Sequence, residues 1–323
     1  MINRNVNGFN YPQATWVLLC FVVFFSSCRS KIVVDPSNVR YEDFVFTEVD
    51  VFPDIIYGKN KTQGGELQEL KMDIYLPKGD SLVSRPLLIF APGGGFVEED
   101  RKELEELARF YAHSGYVVST MSYRVLDIER TSTNLMQAIL EASHDMKAAI
   151  RFFTKDAATT NSYGIDSNRI FIGGYSAGAF TALHCAYVND DSEVLAMGGE
   201  TLLNYINDHG GLDGDSGNEG YPTKVIGVIS ISGALIQADF MDEGDPVLYS
   251  IHGTEDDVVP IGEGESDGSG VITQGPNLIH PLANKLNIAN AIDPIEGGDH
   301  GAILQDWPKY PANARDFIFK NLK

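Results

Sequence analysis

Ser176 stands in GYSAG, residues 174–178, between the apolar run RIFI and the stretch AGAFTALHCAYV, which is patterned as a helix. A strand that turns into a helix within about two residues forces the turn residue into strained backbone angles, and glycines at 174 and 178 remove the side chains that would collide there. Such a turn lifts a serine hydroxyl clear of a sheet as a nucleophile. It also leaves the amide of Ala177 at a helix N-terminus, free to donate to a developing oxyanion. The same five-residue pattern occurs again as GESDG at 264–268, within IGEGESDGSG. No apolar strand precedes that copy and no helical pattern follows it, so it reads as loop.

A nucleophile needs an oxyanion hole and a base. RPLLIFAPGGGF, residues 85–96, is an apolar strand ending in three consecutive glycines, whose bare amides can approach a substrate oxygen without steric cost. Of seven histidines, His113, His144 and His184 fall in helical patterns, His209 in a glycine and aspartate loop, and His280 in an amphipathic segment. His252 and His300 follow apolar runs and so sit at strand ends, where the loops of a parallel sheet gather catalytic side chains. After a strand–turn–helix serine the partners come in the order acid, then histidine. The stretch HGTEDDVVP, 252–260, offers Asp256 and Asp257 as the acid, and EGGDHGAI offers His300 as the base; His252 then reads as a structural strand-end residue.

Taken together, DIYLP (73–77), PGGGF (92–96), SYR (122–124), YGIDSNRIFIGGYSAGA (163–179), HGTEDDVVP and GGDHG (297–301) resemble the α/β-hydrolase carboxylesterases. The resemblance is to the group with an HGGGF or HGGGW oxyanion loop and an HGTxDxxVP acid loop, and it spans about residues 41–323. It implies Ser176 as nucleophile, Asp256 rather than Asp257 as acid, His300 as base, and the amides of Gly94, Gly95 and Ala177 as the oxyanion hole. The activity implied is carboxylic-ester hydrolysis through an acyl-enzyme, without metal or organic cofactor. One position departs from the family: Pro92 replaces the histidine that usually braces the glycine loop, and fixes φ there instead.

The elements that must position these groups are legible as a series. Strand-like runs at 70–76, 87–91, 116–123, 169–173, 224–231, 246–251 and 290–295 alternate for the most part with helical patterns. That alternation predicts a mostly parallel twisted sheet of about eight strands with helices on both faces, with antiparallel edge strands from YEDFVFTEVDVFPDIIYG. The polar, glycine-rich segment 187–222 is long for a connection and reads as a lid or substrate-facing insertion. Its run GLDGDSGNEG does not fit a calcium loop, and no HxxxH or HExxH spacing points to another metal.

The N-terminus is separate. WVLLCFVVFF, residues 16–25, is too short for the roughly 20 residues that span a bilayer, and small residues before Cys28 make residues 1–27 a lipoprotein-type signal peptide. FSSC resembles a lipobox, so Cys28 is the expected lipidation site, followed by a linker over 28–40. The predicted location is exported, periplasmic or anchored to the outer membrane of a bacterium. With Cys20 removed and Cys28 acylated, Cys185 is left without a disulfide partner. A net charge of −21 disfavours nucleic acid and anionic membrane surfaces, and suits neutral esters, small or carbohydrate-linked (acetyl or feruloyl). Two other readings stay in view: a serine peptidase of the prolyl-oligopeptidase type, and a catalytically silent binding module on the same fold.

Overall fold

A computed structural model of the chain describes residues 35, 38–266 and 268–322. The expected signal peptide, Cys28 and most of the 28–40 linker lie outside the described residues.

Strands β1 (Val49–Lys61), β2 (Leu67–Pro77), β3 (Arg85–Ala91), β4 (Val117–Met121), β5 (Ile165–Tyr175), β6 (Gly227–Ile231) and β7 (Val247–Gly253) precede a small antiparallel ribbon, β8 (Glu263–Glu265) and β9 (Ile272–Gln274), and β10 (Asn290–Ile295) closes the series. The main sheet has eight strands in the order β1-β2-β4-β3-β5-β6-β7-β10. β1 and β2 pair antiparallel, as do β2 and β4; every other pair is parallel. Of the stretch expected to supply edge strands, only the part from Val49 does so.

The sheet has a core on each face because its central strands are apolar without interruption. In β3, Leu87, Ile89 and Ala91 point to one core, which includes α2 (Ser132–Ala158), α3 (Ala177–Tyr187), α4 (Asp191–Asn207) and α5 (Pro276–Lys285). Leu88 and Phe90 point to the other, with α1 (Glu105–His113) and α6 (Lys309–Lys320). Ile170 and Ile172 alternate with Phe171 in the same way along β5. Each buried Leu, Ile or Phe among them contributes roughly 1.5–3 kcal/mol by leaving water, so the central strands form a stiff platform for the loops at their carboxyl ends.

Connectivity decides where those loops open. From β3 the chain goes to β4 on one side; from β5 it goes to β6 on the other. The carboxyl ends of the adjacent β3 and β5 therefore flank a topological switch point, where ligand crevices form in such sheets. The three glycines follow β3, and Ser176 follows β5.

Segment 187–222, expected as a lid or substrate-facing insertion, contains a packed helix. Asp190 and Glu193 form a capping box at the start of α4, and Val194, Met197, Leu202 and Ile206 are buried. The Tyr205 hydroxyl donates to Glu141 of α2 at 2.7 Å, and Arg151 of α2 donates to the Gly217 carbonyl at 2.9 Å. The Lys59 amide of β1 donates to the Ser216 carbonyl at 3.0 Å. The segment is thus fastened to the flank formed by α2 and β1; among the described residues its hydrogen bonds do not reach Ser176, Asp256 or His300. The acidic stretch around GESDG, expected as plain loop, instead contributes β8 and the turn that leads to β9.

Candidate active site

β5 passes into α3 through a single residue. Ser176 has φ 53° and ψ −120°, a conformation that L-residues avoid and that the surrounding packing must hold. Its amide donates to the Ile231 carbonyl of β6 at 2.9 Å. The flanking glycines are required by close approach: a Cβ on Gly174 would lie 2.3 Å from the Gly178 carbonyl carbon, and one on Gly178 would lie 2.0 Å from the Ala91 carbonyl oxygen. Ser176 does not cap α3 with its side chain. Its Oγ lies 2.9 Å from Nε2 of His300.

The other ring nitrogen of His300, Nδ1, lies 2.8 Å from Oδ2 of Asp256. A carboxylate can only accept from Nδ1–H, so these partners leave Nε2 bare to accept the Ser176 proton. Oδ1 of Asp256 accepts the amides of Val258 at 3.0 Å and Val259 at 2.8 Å. Burial pushes the Asp256 carboxyl up, yet donors from His252, His300 and the Val259 amide outweigh it and hold the group well below the ordinary carboxylate range. Asp257, the alternative acid, is exposed. The acid and histidine loops also meet main chain to main chain: a Cβ on Gly253 would lie 2.3 Å from the Gly298 carbonyl oxygen and 2.4 Å from that of Asp299.

His252 does more than end a strand. Its Nε2 donates to the Val259 carbonyl at 2.8 Å and lies 3.3 Å from Oδ2 of Asp256, so two imidazoles face one buried carboxylate.

The glycine loop abuts the serine: a Cβ on Gly93 would lie 3.3 Å from that of Ser176. Gly94 and Gly95 have φ of 118° and 60°, backbone angles natural to glycine. Where the resemblance leads one to expect a bracing histidine, the brace comes from Tyr123. Its hydroxyl lies 2.9 Å from the Pro92 carbonyl and 3.3 Å from that of Gly93. Because peptide groups are planar and trans, fixing those carbonyls turns the amides of Gly93 and Gly94 away from Tyr123. The next residue, Arg124, is buried and bonded to Asp145 at 2.9 Å and Glu141 at 3.3 Å, which anchors Tyr123 to α2. Ala177 is the first residue of α3, so its amide has no acceptor within the helix.

The remaining histidines serve the fold. His113 contacts the Phe46 carbonyl, His184 that of Phe180 and His209 that of Tyr205, while His280 meets Asn290; His144 is buried within α2. Cys185 is a buried thiol whose pKa burial raises to about 11. Among the described residues no group of three or more His, Cys, Asp and Glu is placed to hold a metal ion.

Residues 72–234 match the model of the protein family described as BD-FAE. A probable isoprenylcysteine alpha-carbonyl methylesterase of Oryza sativa subsp. japonica is 27% identical over 152 residues, covering 47% of this chain and 32% of its own length. A second such rice protein is 25% identical over 160 residues, 49% of this chain and 33% of its own. The chain thus spans about a third of these curated relatives. Among solved structures, Thermogutta terrifontis esterase 2 phosphorylated by paraoxon superposes with a TM-score of 0.60 at 19% identity, over 88% of this chain and 97% of that one. A truncated carbohydrate esterase from gut microbiota gives 0.61 at 18%, over 84% and 96%. At such identities the likeness is one of fold, and that fold is the α/β hydrolase.

Proposed function

The chain belongs to the BD-FAE family of α/β-hydrolase esterases, and from that premise we propose that it is a serine carboxylesterase acting on small or carbohydrate-linked esters. One observation carries the reading: Oγ of Ser176, the ring of His300 and the carboxylate of Asp256 lie in a line of two contacts, 2.9 Å and 2.8 Å long.

In the proposed reaction Ser176 attacks the ester carbonyl as His300 Nε2 takes its proton. Asp256 keeps the imidazole in the accepting tautomer and stabilises its charged form. The amides of Gly94, Gly95 and Ala177 donate to the oxyanion. His300 then gives its proton to the leaving alcohol, and the acyl group remains on Ser176. Water, deprotonated by the same imidazole, attacks the acyl-enzyme; the carboxylic acid departs and Ser176 recovers its proton.

The carbohydrate-linked substrate class, with acetyl or feruloyl groups, rests on family membership and on the fold shared with a carbohydrate esterase. Preference for uncharged esters rests on charge: Glu98, Asp100, Glu255, Asp257 and Asp299 are exposed on the loops that carry the oxyanion glycines, the acid and the base. Export and a lipid tether at Cys28 belong to the same proposal, resting on the leader alone; Cys28→Ala should release the protein from the membrane fraction.

Hydrolysis of p-nitrophenyl acetate by the wild type and by Ser176→Ala is the first test, and activity surviving in the alanine variant would reject the assignment. A panel of acetylated xylan, feruloylated sugar and glyceride esters then ranks the substrates.

A further inference from the structure

We infer that Ser232 and Tyr175 clamp the main chain of His300 and are positioning residues for ester hydrolysis. The inference rests on the reading of Ser176, His300 and Asp256 given above and adds two residues to it.

The Ser232 hydroxyl donates to the carbonyl oxygen of His300 at 3.0 Å, and the Tyr175 hydroxyl donates to the same oxygen at 3.2 Å. One carbonyl has two lone pairs, so the pair of hydroxyls fills it. The stretch around His300 needs such an anchor. Gly297, Gly298 and Gly301 surround it, and regular structure resumes only with the short 3-10 turn Ala302–Leu304. The contacts of the ring to Ser176 and Asp256 set its tilt, but the distance it can reach depends on where its own main chain is held. A misplacement on the order of 1 Å can lower a rate by about a hundredfold.

Both clamp residues are fixed by the parts of the sheet that hold the nucleophile. Tyr175 immediately precedes Ser176, and its ring centroid lies 5.3 Å from that of His300 with the planes at 34°. Ser232 immediately follows Ile231, whose carbonyl accepts the Ser176 amide, and its own amide donates to Ile251 of β7 at 2.8 Å. The end of β6 thus sets the serine and the histidine loop from one point. Ser232 is buried and has φ 51°, a left-handed conformation that glycine adopts without cost and serine does not. Burial raises the Tyr175 phenol to about 12, so it remains a donor over any ordinary assay range.

The left-handed angle lets one variant separate the two roles of Ser232. Ser232→Gly removes the hydroxyl and relaxes the backbone, so a purely structural residue would leave kcat alone and hold or raise the melting temperature. A clamp predicts kcat about fivefold lower at an undiminished melting temperature and near-constant KM. Tyr175→Phe should act alike. Because either hydroxyl alone still holds the carbonyl, the double variant should lose more than the product of the singles, on the order of a hundredfold. The labelling rate of Ser176 by a fluorophosphonate, which also needs the base, should fall in parallel. A double variant within twofold of wild-type kcat, or a loss confined to KM, overturns the clamp. If Ser176→Ala stays active, the underlying reading falls instead.

Discussion

GYSAG at 174–178 and GESDG at 264–268 share one pattern, and their serines are equally buried, each with 8% of its surface exposed. They differ in what surrounds them. Ser176 joins a buried parallel strand to a helix, and its hydroxyl meets an imidazole. Ser266 lies just beyond β8 in a two-stranded ribbon, and its hydroxyl meets that of Thr273 at 2.7 Å. The last glycine of each copy divides the same way. Gly178 has another segment's backbone where its Cβ would be, whereas Gly268, at φ 59°, has nothing within 4 Å. A nucleophile pattern therefore carries no chemistry in its five letters. What separates the two copies is a second element whose backbone makes Gly178 obligatory, and an imidazole brought in from a third.

The contrast can be broken most directly at the relay. Ser176→Ala should lower kcat by at least about 10⁴-fold, and Asp256→Asn by roughly 10³- to 10⁴-fold with little change in KM, in steady-state assays on p-nitrophenyl acetate. Next come the glycines. Gly178→Ala should destabilise by several kcal/mol in urea unfolding, about the cost of forced overpacking, while Gly268→Asn should cost no more than about 1 kcal/mol.

The helix behind Ser176 also carries a proton-linked cost that the ribbon lacks. His184 is buried in α3, and burial lowers its pKa to about 4, against which its contact with the Phe180 carbonyl works only in part. Between the ordinary 6.5 and about 4 the unfolded chain binds the extra proton. The His184 contribution is therefore complete above about pH 6.5 and is lost as pH falls towards 4, by up to ~3 kcal/mol. Unfolding measured at pH 7 and pH 5 should display the loss, and His184→Gln should flatten it. The smallest effect belongs to Ser266→Ala, with activity within about twofold of wild type and ~1 kcal/mol lost with the Thr273 hydrogen bond.

Much of this arrangement was readable in the residues because it is local. The apolar runs of β3 and β5, each followed by glycines, announce strands that end in tight turns, and the order of serine, acid and histidine follows from topology. Long-range contacts leave no such trace. Nothing near Tyr123 announces that its hydroxyl supports Pro92, or near Ser232 that its hydroxyl reaches His300. His252 read as the end of a strand because its contact with Asp256 exists only once the acid loop folds back. The helix within segment 187–222 was hidden for another reason. Gly198 and Gly199 depart from helical angles within α4, which breaks the apolar spacing that would have marked a packed helix.

Gly253 leaves no room for a side chain between the loop bearing Asp256 and the loop bearing His300. For protein engineering the two segments are in effect a single cassette. A library that diversifies either segment should therefore keep Gly253, and a graft should carry the segments of Asp256 and His300 together.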